Sequence, residues 1–85
     1  MKGKVKIEIL GRGCRACRAA ELNLRTALDE LHMQAAIFRL TDTRQIFRRG
    51  VKVTPAVAVG GRELSAGGIP SVEEMKKWLM QLRAG

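Results

Sequence analysis

The sequence predicts an α/β fold of element order βαβαββα, with a four-stranded mixed sheet carrying helices on both faces. Three observations predict it: a period-two alternation near the start, longer stretches in which apolar residues recur at helical spacing, and a Gly60-Gly61 pair that folds two neighbouring strands into a hairpin. A strand, helix and strand in succession form a right-handed parallel unit, whereas a short glycine link makes its two strands antiparallel, so the sheet has to be mixed. With 85 residues, 46% of them hydrophobic, the chain is expected to form a single domain over residues 1–85 with material for one compact core. A two-domain enzyme is excluded.

Val5, Ile7 and Ile9 alternate with Lys4, Lys6 and Glu8, which describes a strand from about Lys4 to Leu10 with one buried face, ending at Gly11. From Cys17 onward Ala20, Leu24, Ala27, Leu28 and Leu31 follow helical spacing while Glu21, Arg25, Asp29 and Glu30 turn elsewhere. This predicts a helix from near Cys14 to near His32, with His32 as a basic partner for the helix C-terminus. Ala35 to Leu40 reads as the second strand, and Thr41-Asp42-Thr43 caps a brief helix that carries Ile46 and Phe47 and stops at Gly50. Val51-Lys52-Val53-Thr54-Pro55 leads into the apolar strand Ala56 to Val59, whose hairpin partner is Arg62 to Ala66. After Gly67-Gly68, Ser71 and Glu74 make a capping box, and Val72, Met75, Trp78, Leu79 and Leu82 mark the inner face of a last helix. Phe38, Phe47 and Met80 are also assigned to core-like positions.

Sixteen lysines and arginines against eight acids give a net charge of +8, which bears on solubility and on anionic partners rather than on fold. The basic residues Lys2, Lys4, Lys6, Arg44, Arg48, Arg49, Lys52, Lys76 and Lys77 are scattered over several elements without an aromatic stacking platform. They read as a solvated surface, so no specific nucleic acid is expected. No stretch approaches the roughly 18 apolar residues of a membrane span. Met1-Lys2-Gly3-Lys4 is basic, but the apolar run behind it is broken by Lys6 and Glu8, so no signal segment is read. A monomeric cytoplasmic protein without membrane attachment is expected.

The chemistry concentrates in Gly11-Arg12-Gly13-Cys14-Arg15-Ala16-Cys17-Arg18, where the first strand hands over to the first helix. Cys14 falls at or just before the first helical turn, where unpaired N–H groups and the positive end of the helix dipole stabilise an anion. Arg12, Arg15 and Arg18 should lower its pKa further, so Cys14 is the expected nucleophile. Cys17 lies on the apolar stripe with Ala20 and Leu24, more buried and mostly protonated, as suits a resolving thiol. A disulfide between them would close too short a loop to serve mainly as a staple. Two other readings stay open: a pair of inert small hydrophobes, and a site for a soft ion such as Cu(I). Structural zinc within one chain is disfavoured because the only further ligands are His32 and carboxylates.

The element order, the Gly-x-Gly-Cys-x-x-Cys turn, Val53-Thr54-Pro55 ahead of the third strand and Gly68-Ile69-Pro70-Ser71 ahead of the last helix resemble the thioredoxin/glutaredoxin family. The likeness is greatest to the small thioredoxin-like redox-active disulfide proteins of prokaryotes, and it spans nearly the whole chain. The resemblance implies a thioredoxin-like fold and a thiol–disulfide oxidoreductase in which Cys14 attacks and Cys17 resolves. No cofactor is implied beyond the redox-active Cys14-Cys17 disulfide, and no metal; the partners are protein disulfide substrates and an upstream thiol reductase. It further implies a cis Thr54–Pro55 bond facing the cysteines, with Thr54, Pro55 and Gly68 contacting an extended substrate strand. Glu8 matches an acid that helps thioredoxins move the resolving proton; its alternative is a solvated strand residue beside Lys4 and Lys6. The Arg15-Ala16 dipeptide and Gly13 depart from the thioredoxin and glutaredoxin patterns, so no redox potential carries over. The soft-metal alternative would be a heavy-metal-associated carrier of order βαββαβ, which lacks both the helix around Ile46 and the Thr54-Pro55 turn.

Overall fold

The computed structural model describes residues 5–12, 15–60 and 62–84. Its elements are β1 (Val5–Leu10), α1 (Arg15–Glu30), β2 (Ala35–Leu40), α2 (Thr43–Arg48), β3 (Ala56–Val59), β4 (Arg62–Ala66) and α3 (Val72–Ala84). The strands lie in the order β2-β1-β3-β4. β1 runs parallel to β2, from Val5 opposite Ala35 to Leu10 opposite Leu40. β3 is antiparallel to both β1 and β4, and its pairing with β4 has a register shift between Val57 and Ala58.

Alternation along the two central strands divides the core. Ile7, Ile9, Val57 and Val59 point to one face, where Ala20, Leu24, Ala27 and Leu28 of α1 and Met75 and Leu79 of α3 cover them. Leu10, Ala56 and Ala58 point to the other, where Ile46 of α2 and Val51 cover them. Each large apolar side chain so buried is worth about 1.5–3 kcal/mol. All four residues of β3 are buried, as expected of a strand covered on both sides. Across the first face, Asn23 Nδ2 donates to the Pro70 carbonyl at 2.9 Å, and Lys76 Nζ lies 2.9 Å from Glu30 Oε1, so α1 and α3 are also joined by polar contacts.

The helix ends show how local sequence sets these elements. The Ser71 hydroxyl accepts from the Glu74 N–H at 3.1 Å while the Ser71 N–H donates to Glu74 Oε1 at 3.0 Å, the reciprocal capping box that the sequence predicts. Asp42 caps α2 by accepting from the Arg44 N–H at 2.8 Å. At the end of α1 the Met33 N–H donates to the Leu28 carbonyl and the His32 N–H to the Asp29 carbonyl, with His32 at φ 54°. That is a Schellman cap in which His32 occupies the left-handed position glycine usually takes. The sequence reading gave His32 a role for its charge; the structure gives its backbone the role.

Four expected core residues are exposed: Phe38, Phe47, Met80 and Leu82. α2 has only six residues, so Ile46 reaches the sheet and Phe47, the next residue round the helix, points away. Phe38 stands on β2 at the sheet edge, with Lys6 Nζ 5.5 Å from its ring centre. Met80 follows Leu79 by one position and so turns outward, and Leu82 sits at the outer rim of the α3 stripe beside Val59, Leu64 and Trp78. The expected helix start near Cys14 falls outside the described residues; the described helix opens at Arg15 and closes at Glu30.

Candidate functional site

Gly11 ends β1, and its N–H donates to the Leu40 carbonyl at 2.9 Å, which holds the strand terminus against β2. Two turns leading from other elements close on it. Cys17, the third residue of α1, is buried at 6% exposure. A Cβ on Gly11 would overlap the Cys17 Sγ and lie 3.7 Å from the Pro55 Cα. The glycine thus makes room for the sulfur, and the sulfur sits beside the turn before β3. That turn contains a cis Thr54–Pro55 peptide, as the resemblance implied. It is fastened from behind: the Gly67 N–H donates to the Pro55 carbonyl at 2.8 Å, and a Cβ on Gly67, which has φ 86°, would meet Val53 Cγ1 at 2.7 Å. Only glycine combines that backbone with that approach.

Cys14 and Gly13 lie outside the described residues, so the expected nucleophile and its distance to Cys17 are not part of this geometry. The arginines expected to tune it diverge around the site. Arg18 lines a cavity of about 310 Å³ beside Cys17, Arg12 lines a separate groove with Thr54 and Phe47, and Arg15 is exposed. Thr54 is exposed and Pro55 buried. Gly68 is exposed with open space at its Cα, so the close approach at this corner belongs to Gly67.

Glu8 is reassigned by strand alternation. Ile9, not Glu8, faces the cavity that holds Cys17, and Glu8 points to the opposite side of the sheet with Leu10. There Arg49 holds it in a two-pronged pair, Nη2 to Oε1 at 2.7 Å and Nη1 to Oε2 at 3.0 Å. The Arg49 guanidinium lowers the Glu8 pKa against the opposing effect of burial, and Lys6 adds to the lowering. Glu8 and Arg49 thus form an ion pair on the face of the sheet that α2 covers.

The acid that neighbours Cys17 is Glu21, which the sequence reading turned towards solvent. It is 8% exposed and lies one helical turn after Cys17 in the same cavity, with Arg39 and Thr41. Arg39 donates to it at 2.6 and 2.7 Å, and Arg25 at 2.8 and 3.0 Å. Arg39 is the larger cause of a Glu21 pKa lowered to about 2; burial opposes, and Arg25 assists. One signal was in the sequence, since Cys17, Glu21 and Arg25 share one i, i+4 row. The other was not: Arg39 meets Glu21 because β2 registers Arg39 beside Ile9.

These groups can do one thing together. They hold a sulfur under cover in the first turn of a 16-residue helix, against a glycine and beside the cis Thr54–Pro55 turn, whose Thr54 is exposed. Among the described residues no group of three or more His, Cys, Asp or Glu could hold a metal ion, and no helix is long and apolar enough to cross a membrane.

Comparison with known proteins places this geometry. Residues 5–80 match the family described as a thioredoxin domain. A thioredoxin of Methanothermobacter thermautotrophicus is 37% identical over 75 residues, 88% of this chain and 97% of its own. One of Methanocaldococcus jannaschii is 40% identical over 81 residues, 95% of this chain and 93% of its own. Among solved structures, chloroplastic thioredoxin z superposes with a TM-score of 0.72 at 13% identity, covering 96% of this chain and 80% of its own. Thioredoxin-2 of the malaria parasite gives 0.70 at 12% identity, covering 95% and 85%. At such identities the last two speak to the fold alone.

Proposed function

This chain belongs to the thioredoxin family, and from that premise we propose that it is a small thiol–disulfide oxidoreductase acting on protein disulfides through Cys14 and Cys17. The Cys14 thiolate attacks one sulfur of a substrate disulfide; a bond forms between Cys14 and that sulfur, and the other leaves as a thiolate. Cys17 loses its proton and attacks Cys14, so the Cys14–Cys17 disulfide forms and the second substrate thiolate departs. The substrate gains two electrons and, from solvent and Cys17, two protons. An upstream thiol reductase returns the pair to its reduced form, so the pair itself is the redox group and no further cofactor takes part. Thr54, Pro55 and Gly68 line the path of an extended substrate strand, and Arg12, Arg15 and Arg18 favour the thiolate. The protein works as a cytoplasmic monomer.

The observation that carries this reading is the Cys17 sulfur, buried in the first turn of α1 against Gly11 and beside the cis Thr54–Pro55 turn. Reduction of insulin disulfides tests it. Cys14→Ser is expected to abolish turnover and Cys17→Ser to accumulate mixed disulfides that a non-reducing gel resolves; wild-type turnover by the Cys14 variant would refute the assignment. Iodoacetamide alkylation against pH should place the Cys14 thiol below the ordinary cysteine value of about 8.5. The soft-metal alternative is disfavoured by α2 between β2 and β3 and by the Thr54–Pro55 turn, both foreign to the βαββαβ order. Tight stoichiometric Cu(I) binding without insulin reduction would reverse that ranking.

A further inference from the structure

The two edges of the sheet are built differently. β4 is a five-residue strand whose pairing with β3 carries a register shift, the kind of irregularity that keeps an edge from accepting another strand. β2, at the opposite edge, has six residues and pairs with β1 without interruption, from Val5 opposite Ala35 to Leu10 opposite Leu40. It contains no proline, no lysine and a single charge, Arg39, so it lacks the usual devices that blunt an edge. The Leu40 carbonyl accepts from the Gly11 N–H, so Ala36, Phe38 and Leu40 turn their backbone groups towards β1. Ala35, Ile37 and Arg39 therefore turn theirs outward, and among the described residues these N–H and carbonyl groups meet no hydrogen-bond partner.

Such an edge accepts a second extended strand, and β2 is complementary to itself. Set antiparallel about a two-fold axis that passes through Ile37 perpendicular to the sheet, Ile37 faces its own copy and Ala35 faces Arg39, so all three outward residues exchange hydrogen bonds with the other strand. Between them Ala36 faces Phe38 on the α2 side of the sheet, a small side chain opposite a half-exposed ring at both places where the two meet. On the α1 side Ile37 lines an open concavity of about 410 Å³ with Leu28, Met33 and Ala35, and the concavities of the two copies meet at the axis. The register is singled out by charge and length. An axis at Arg39 would set arginine against arginine, and one at Ala35 would leave Arg39 beyond the ladder.

We propose that two copies of this chain associate through β2, antiparallel and centred on Ile37, into one continuous sheet with four strands from each copy. The contact uses the same strand of both copies and therefore closes at two, with a β4 strand at either outer edge of the pair. A six-residue ladder buries less than the roughly 1,600 Å² of a standard interface, which makes the pair weak and reversible. Thr54 and Pro55 precede β3, two strands away from this edge, so a single chain still carries out the exchange proposed above, and the pairing does not rest on that reading. The net charge of +8 on each copy opposes association, so added salt should favour it.

Sedimentation equilibrium on the full chain, kept reduced so that no disulfide links two copies, should show the monomer mass at about 10 μM and approach twice that mass, and no more, at about 1 mM. Amide exchange at the two concentrations reads the register. The N–H groups of Ala35, Ile37 and Arg39 should slow about fourfold at the higher one, while those of Ala36, Phe38 and Leu40, already bonded to β1, should not change. Ala35→Glu sets a carboxylate opposite the other copy's Arg39 at both ends of the ladder and should lower the Kd of the pair about threefold. Ala36→Glu, of equal charge, sets it against Phe38 and should raise the Kd about threefold. The exchange pattern of the unsubstituted chain stands whether or not either variant folds. A monomer mass at about 1 mM would overturn the proposal, as would equal effects of the two substitutions, growth beyond two copies, or slowing at Ala36 and Phe38 to match Ile37. Slowing of the three outward amides by an added peptide of alternating valine and threonine, in a chain that stays monomeric, would assign the edge to a partner's strand and overturn it as well.

Discussion

On the side of the sheet covered by α1 and α3, ten buried residues of the described chain pack together; on the side covered by α2, five do. Charge follows the same division. The first side balances its acids, Glu21 with Arg39 and Arg25, Glu30 with Lys76. Among the described residues the second has one ion pair, Glu8 with Arg49, and leaves the remaining cations of α2 and its following loop facing water. Stability is therefore concentrated on one face, and the other, with a thin core and unbalanced charge, is free to vary its surface. Cys17 belongs to the stable side, where a sulfur can be held in place, while Thr54 opens towards the other.

The largest predicted effect tests the core half of that contrast. Leu24→Ala removes a side chain that is 2% exposed between α1 and the sheet, and should destabilise by about 3 kcal/mol in urea unfolding. Ile46→Ala, in the smaller cluster, should cost about 2 kcal/mol, and amide exchange should show α2 opening before α1. Equal costs and equal exchange would erase the distinction.

The next effect is electrostatic. The Glu21 pKa of about 2 lies below its ordinary 4.5, so the stability it contributes is present in full above about pH 4.5 and is lost as the pH falls towards 2. Glu21→Gln should cost about 1–2 kcal/mol at pH 7, less than the shift alone implies because Arg25 and Arg39 are largely exposed and screened. Its unfolding midpoint should then change less than that of the wild type across that acid window; parallel curves would show that the arginines stabilise the face without this carboxylate. Glu8 titrates in the same direction, its stability also lost on acidification, but with one arginine instead of two.

The smallest effect is a gain. His32→Gly places glycine at the left-handed cap of α1 and should stabilise by about 0.5 kcal/mol, raising Tm by about 2–4 °C in a calorimeter. A loss would mean that the imidazole itself supports the helix end.

Much of this arrangement was legible in the sequence because it depends on neighbours along the chain. The capping box of Ser71 and Glu74, the cap at Asp42, the alternation of β1 and the glycine link before β4 are all local signals, and each element they predict is present. The misreadings arise where distant segments decide. Glu21 looked solvated until β2 brought Arg39 to it. Glu8 looked like a partner for the cysteines because of its spacing along the chain, although alternation sends it to the other face. Phe38 and Phe47 looked internal because aromatic residues usually are; among the described residues no element covers them, since β2 is an edge and α2 is short. At the site the sequence indicated Cys17, Thr54 and Pro55, but not that Gly11 would be the residue against which the sulfur rests.

That contact makes residue 11 a gauge for residue 17. Any side chain there would have to share volume with the thiol, so Gly11→Ala should push the sulfur away from the proline turn or strain the strand end, while both cysteines remain in the sequence. The two positions are thus inherited as one unit: a chain could keep its whole thiol complement, fold, and still fall silent through a single methyl group.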